Sequence, residues 1–365
     1  VEQKNDKLDF EPFLFDTASK KLSSTIKITF LIGETKYTYE VEFTKKYILQ
    51  EKLQYNPKGR NADFYTRQTD IENQVSKITF GSTLKINAKD SSIVEGNTIW
   101  NNTVIGAFNK TNVKIPELNQ VLNWFKETLM SGVEPRTDLF GWTSNKVEAD
   151  NKSKTEIIDI IKKADVQING LDIDIDEKHL SDEVISKLSV MPIEKTRLEE
   201  IKKDRKITMK DIIFHHAVKE KGKTKLYKLN KDHESRGTLR YYGLSGILSS
   251  LIQKNKVVSI DELETSLHPD LMKHFLLLFL VNAKQSQMVI TTHNLFLLDE
   301  KDILRNDAIW FTQKQEDGSS ELYSLADFET NIIRKGASII NPYKIGKLGA
   351  KPNLGNIFIS HSSNG

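Results

Sequence analysis

"VVSIDELETSLHP", residues 257–269, is the stretch on which the fold turns. At its head, Val257, Val258, Ser259 and Ile260 form a short apolar run of the kind a buried strand shows. The run ends on adjacent carboxylates, Asp261 and Glu262, followed by Ser266, Leu267, His268 and Pro269. Phosphate hydrolysis needs such an ending. An Asp holds Mg²⁺, often through water, because hard cations take oxygen ligands. A neighbouring Glu orients or deprotonates the water that attacks a terminal phosphate. Ligand crevices open at the ends of parallel strands, so the position suits the chemistry. The competing reading is a strand that simply stops at polar residues.

Two flanking stretches bear on that choice. "MVITTHN" (288–294) reads as a second core strand, ending on His293 within reach of the same crevice. Its plainer reading is a histidine capping the next helix. "ESRGT" (234–238) reads as a helix start, with Ser235, Gly237 and Thr238 where free N–H groups and the helix dipole favour an anion. Taken alone it is a good N-cap.

In this order the stretches resemble the ABC-type ATPases in the broad sense, which include structural-maintenance-of-chromosomes, Rad50 and RecF-like ATPases. On that resemblance "ESRGT" matches the signature motif, "VVSIDE" the Walker B, "SLHP" (266–269) the D-loop and "TTHN" the switch-histidine loop. The signature departs from the transporter form LSGGQ, which argues against a transporter subunit. The pattern is most similar to bacterial AAA-type ATPases of abortive infection and phage defence: the RloA-like and AbiL-like proteins and the ATPase of the PARIS system. "ESRGTLR", "IDELETSLHP", "TTHN" and "DAIWFTQKQEDGSSELYSLADF" follow that subgroup over 234–328, and "YKIGKLGAKP" (343–352) resembles its usual ending.

The resemblance implies ATP and Mg²⁺ as cofactors, with Asp261 on the metal, Glu262 positioning the water and His293 sensing the γ-phosphate. Ser235, Gly237, Thr238 and Ser266 would contact nucleotide across a homodimer or higher oligomer. It further implies a DNA or phage-protein trigger and a separate effector, such as a TOPRIM-like nuclease. Two other readings stand beside it: a DNA-repair ATPase of the RecF or Rad50 type, and an assembly platform that binds nucleotide without turnover. No long heptad pattern joins the early strands to the signature helix, which weighs against Rad50-like arms.

The expected fold is α/β: an ABC-type core with a mainly parallel sheet, an antiparallel β subdomain and a helical lobe. Residues 1–95 read as the β subdomain, because "STIKITFLI", "KYTYEVEF", "ILQEKLQY", "ADFYTRQ" and "SKITFG" are short, partly alternating and separated by turns such as Gly33-Glu34. Residues 96–210 read as a helical lobe. In it "IPELNQVLNWFKETLM" starts on Pro116, "KTEIIDIIKKAD" puts Ile157, Ile158, Ile161 and Ala164 on one face, and Pro192 interrupts a charged stretch. Residues 211–328 read as the ATPase core, with strands and helices alternating into a parallel sheet between 234 and 316, and 329–365 as a C-terminal tail.

Composition narrows the classes. The 365 residues are 38% hydrophobic and 28% charged, as in a globular protein with ample chain for a core, and the net charge of +3 permits nucleic-acid contact without arguing for it. With no cysteine, disulfides, thiolate metal sites and cysteine nucleophiles are excluded. The longest apolar run, "LMKHFLLLFLV" (271–281), carries Lys273 and His274 and is too short for a membrane span, so a cytoplasmic protein is expected.

No GxxxxGK[ST] string occurs, and Gly222-Lys223-Thr224 falls in a lysine-rich turn between two strand-like segments. The phosphate-cradling segment is therefore expected upstream of Val1. "LDIDID" (171–176) imitates a nuclease metal motif, but its alternation suits a strand with one wet face. His215 and His216 are expected on opposite strand faces, and the basic run 219–231 reads as a charged exposed hairpin, with contact to DNA phosphates as the competing reading.

Overall fold

A computed structural model describes residues 3–57, 59–164, 167–188, 195–300, 302–328, 338–355 and 357. The chain forms two compact units: Val1–Leu129 with Thr312–Leu322, and Met130–Phe311 with Tyr323–Gly365.

The first unit is built on an antiparallel meander of β1 (Ser24–Ile32), β2 (Thr35–Phe43), β3 (Ile48–Asn56), β4 (Ala62–Asp70) and β5 (Val75–Phe80), adjacent in chain order. Period-two patterning puts Tyr37, Tyr39, Val41 and Phe43 of β2 inward. A bulge opposite Leu53 and Gln54 adds one residue to β4, so Phe64 and Tyr65 are buried side by side.

A polar cluster lies inside this apolar layer. Buried Glu51 accepts from Tyr39 Oη (3.1 Å), Tyr65 Oη (2.7 Å) and Val104 N (2.8 Å). Buried Arg67 donates to Ser76 Oγ (2.7 Å), Ile48 O (3.2 Å) and Trp100 O (2.9 Å). Three helices follow the sheet, α1 (Ala88–Asn97), α2 (Val104–Phe108) and α3 (Pro116–Asn123), and these bonds tie the start of α2 and the link before it to the strands. Pro116 starts α3, and a π turn, Trp124–Thr128, continues it.

The second unit contains α4 (Leu139–Ala149), α5 (Asn151–Lys162), β6 (Ile168–His179), α6 (Asp182–Leu188), α7 (Lys195–Asp204), β7 (Lys206–Glu220), β8 (Lys223–Asn230) and α8 (Arg236–Gln253). Then follow β9 (Val257–Ile260), α9 (Pro269–Asn282), β10 (Gln287–Ile290) and, after the hairpin of β11 (Trp310–Lys314) and β12 (Ser320–Ser324) whose stretch Thr312–Leu322 belongs to the first unit, α10 (Ile340–Lys344). Its centre is α8, buried nearly all round. Tyr241, Leu244, Leu248 and Leu251 pack with Val258, Ile260, Met272 and Phe275, while Tyr242 turns into a second core with Phe214, Ile157 and Ile161. Because α5 lies between both cores, Ile160 and Ala164 enter the first, and the single apolar face expected there is two.

The mixed α/β class holds, but the sheet arrangement is narrower than the sequence suggests. Among the described residues, parallel pairing joins β9 to β10 and adds one parallel bridge from Val133 to Ile260. The strand expected to continue that sheet, β11, instead pairs with β12. The turn between them, with Gly318 at φ +82°, folds β11's own successor back onto it.

The stretch 96–210 is not wholly helical, since β6 and the start of β7 fall within it and β6-β7-β8 form an antiparallel sheet. There "LDIDID" is a strand, and Lys221-Gly222 is the two-residue hairpin turn after β7. The interruption expected at Pro192 lies outside the described residues. In "YKIGKLGAKP", Tyr343 stacks on Phe311 and donates to Ala350 O (2.9 Å), and Gly346 and Gly349 take the positive φ values (+81° and +65°) that this closure requires.

Candidate functional site

The site is assembled at the C-terminal end of β9. Strand pairing positions its floor: Asp261 N donates to Val133 O (2.8 Å) and Thr291 N to Ile260 O (3.0 Å). Thr291 then joins the two acids. Its hydroxyl donates to Asp261 Oδ1 and accepts from Glu262 N (2.9 Å), while its carbonyl accepts from Leu263 N (3.1 Å). Asp261 is exposed. Glu262 sits at φ +45° and Ser266 at φ +62°, left-handed conformations that cost non-glycine residues about 1–2 kcal/mol each and gather at functional turns. Between them, Thr265 Oγ1 donates to Glu262 Oε2 (3.3 Å) and Leu263 is fully buried.

His293 follows closely. The strand stops at Ile290, three residues before the expected end: Thr291 N makes the last bond to β9, and the Thr291 hydroxyl and carbonyl and the His293 N–H bond to the acid turn instead. His293 N donates to Glu264 Oε1 at 2.6 Å, and the residue is exposed. The capping role belongs to Asn294, whose Oδ1 accepts from Phe296 N (3.0 Å) at the next short helical turn. The plainer reading of His293 as a cap therefore fails.

Ser235 is the N-cap of α8, accepting from Thr238 N (3.0 Å) with Thr238 Oγ1 2.9 Å away. Gly237, in the first turn, lies against the acid turn: a Cβ there would stand 2.8 Å from Ser266 O. The helix start and the 262–266 turn thus touch within one chain. Past Ser266, Leu267 packs into the core, His268 caps α9 by accepting from Asp270 N (3.2 Å), and Pro269 is its first residue.

Four further residues escaped the sequence reading. Thr291 and Glu264 hold the loops described above. Glu234, just before the N-cap, has a buried carboxylate paired with His216 Nε2 at 2.5 Å. Arg240, one turn into α8, is only 9% exposed, and its Nε and Nη2 find no partner among the described residues. A second acid so close to "DE" was the available signal for Glu264, although acids in turns are ordinarily just solvated.

His215 and His216 face opposite sides, as the alternation requires: His215 Nε2 meets Asp172 Oδ2 (2.9 Å) while His216 meets Glu234. Asp172 also accepts from Lys228 Nζ (2.8 Å), a bond that, with His215 contributing, holds its carboxyl below the usual range. A concavity of about 730 Å³ lies on this sheet, lined by Lys154, Asp172, Asp174, Lys228 and His233. It is an open hollow of mixed charge, with its best-placed acid already paired, so the strand-end turn is the stronger candidate.

Among the described residues no group of three or more His, Asp or Glu side chains can hold a metal by itself. A lone Asp261 with one oxygen engaged by Thr291 fits Mg²⁺, which keeps waters and shares its shell with phosphates, and does not fit an all-protein Ca²⁺ or Zn²⁺ cage. No helix of the described residues is long and apolar enough to cross a membrane.

Geometrically this is an α/β domain with paired acids at the end of a parallel strand. The family described as "AAA domain, putative AbiEii toxin, Type IV TA system" matches residues 107–299, more than half of the chain. The chain belongs to that family. Among solved structures it is similar to an SMC head domain from Thermotoga maritima, at 12% identity over 75% of this chain and 73% of that one, with a TM-score of 0.34. It is also similar to an SMC head bound to the C-winged helix domain of ScpA, at 9% identity over 86% and 77%, with a TM-score of 0.35. No curated protein matches.

Proposed function

We propose that this chain is an ATP-hydrolysing subunit of a bacterial anti-phage defence system, in which two copies close around ATP and gate a separate effector. The observation that carries the reading is the Thr291 clasp, which fixes Asp261 and Glu262 side by side at the end of β9. Membership of an AAA family supports nucleotide use, and the family's description, which names a toxin of a type IV toxin–antitoxin system, agrees with a defence role.

In this reading Asp261 holds Mg²⁺ through the carboxylate that Thr291 orients. The ion supplies charge neutralisation on the phosphates. Glu262 orients the attacking water and accepts its proton. His293, exposed beside the acids, contacts the terminal phosphate. Ser235, Gly237 and Thr238 present the exposed start of α8 to nucleotide held by the other copy, where the free N–H groups and helix dipole favour an anion. Ser266 faces the same boundary.

The test is steady-state ATP hydrolysis by the full-length protein against Glu262→Gln. Removing a general base is expected to lower kcat by about a hundredfold or more while ATP still binds. Equal rates would overturn the catalytic assignment and favour a platform that binds without turnover. Loss of phage protection in the same variant, with DNA repair intact, separates defence from a repair ATPase.

A further inference from the structure

We propose that Glu264 is a positioning residue of this site, whose carboxylate sets where His293 stands relative to the acid pair. The proposal rests on the ATPase reading above and adds to it a residue that the reading leaves without a role.

Glu264 occupies a junction. Its Oε1 accepts the main-chain N–H of His293 at 2.6 Å, a short bond of the charge-assisted kind. Its carbonyl accepts from Leu267 N (2.8 Å), closing the turn that carries Ser266. One residue therefore anchors the loop bearing the exposed histidine and the turn that touches Gly237. The last sheet-like bonds on the histidine side are at Thr291. Beyond them Thr292 Oγ1 accepts from Asn294 N (3.0 Å), a bond internal to the loop. The Glu264 bond is thus what ties His293 itself to the acid turn.

The second carboxylate oxygen sharpens the point. Oε2 is buried and has no hydrogen-bond partner among the described residues. A carboxylate withdrawn from water with one oxygen unpaired is unfavourable, and such groups persist where the surroundings impose them. Here the surroundings are the left-handed residues Glu262 and Ser266 on either side and the fully buried Leu263 next to it. A glutamate serving only to stabilise a turn would gain more with both oxygens in solvent. The arrangement favours placement of His293 over local stability.

Three substitutions test this. Glu264→Met keeps the bulk and removes the acceptor; Glu264→Gln keeps an oxygen for His293 N–H; His293→Ala removes the positioned group. Misplacing one contact of a catalytic constellation costs about tenfold to a hundredfold, so Glu264→Met should lower kcat at least about tenfold with KM for ATP changed by less than about threefold. Glu264→Gln should restore kcat to within about threefold of the unaltered protein. Adding Glu264→Met to His293→Ala should cost nothing further, because residues acting as a unit are not additive. Deuterium exchange at the His293 amide should quicken about tenfold in Glu264→Met and stay unchanged in Glu264→Gln.

Effects of Glu264→Met and His293→Ala that multiply, or a His293 amide indifferent to Glu264→Met, would overturn the proposal. A kcat loss in Glu264→Gln equal to that in Glu264→Met would do so too. If Glu262→Gln hydrolyses ATP as fast as the unaltered protein, it is the ATPase reading that fails. The exchange measurement still decides whether Glu264 places His293.

Discussion

A single hydroxyl, that of Thr291, aims the Asp261 carboxylate and holds the backbone of Glu262, and its removal separates aim from charge. Thr291→Val preserves shape while leaving Asp261 Oδ1 without its donor and Glu262 N without its acceptor. Groups that orient metal ligands typically change affinity about tenfold to a hundredfold, so the Mg²⁺ concentration for half-maximal hydrolysis should rise about tenfold. An unchanged Mg²⁺ titration would mean that Asp261 is aimed by the strand alone. At this scale the sequence offered candidate groups for the chemistry but not those that place them. Asp261 and Glu262 stand out because two charges end an apolar run. Thr291 and Glu264 have no such contrast, since a threonine after a strand and an acid in a turn are ordinary. Their partners lie about thirty residues away along the chain, a separation over which no local pattern speaks.

Among the elements, α8 shows what was legible and what was not. Its polar entry at Ser235 and its apolar length were readable, and the helix runs Arg236–Gln253 with Ser235 as its cap. Its neighbour was not. Thr143 of α4 donates to Gly243 O (2.9 Å), and a Cβ at Gly246 would lie 2.2 Å from Thr143 Oγ1. Such helix contacts depend on missing side chains, which leave no periodic trace. Gly246→Ala gains helix propensity of about 1 kcal/mol but overpacks this contact, so a net loss of roughly 1–3 kcal/mol is expected in urea unfolding. Thr143→Ala in the same chain should recover part of it, because Oγ1 and Cγ2 are gone while Cβ, 2.9 Å away, stays. Additive losses would show that the helices do not meet there. The two-core burial of α5 and the return of β11 onto β12 were hidden for the same reason. Periodicity reports which faces are apolar, not how many neighbours cover them.

For the whole molecule, the meander β1–β5 was legible strand by strand, because turns punctuate alternating segments. The division into compact units was not, because a boundary after Leu129 carries no change in composition. The proposed assembly makes a quantitative claim at this scale. If each site combines the acids of one copy with the α8 start of another, Glu262→Gln and Ser235→Arg proteins should each be inactive alone. Equimolar mixing and reassortment should then recover about a quarter of the original activity, since half the dimers are mixed and each holds one intact site. No recovery in a mixture shown to have exchanged subunits would place both halves of the site in one chain.

The contact of Gly237 with Ser266 O gives that assembly a further property. Two turns that the proposal sets against a neighbouring copy are pressed together inside a single chain, with no side chain between them to act as a cushion. A displacement imposed on one is therefore delivered to the other. Each copy would report the state of one interfacial site to the next, and two such sites would be linked thermodynamically, so that filling one alters the affinity of its twin by the same factor in both directions.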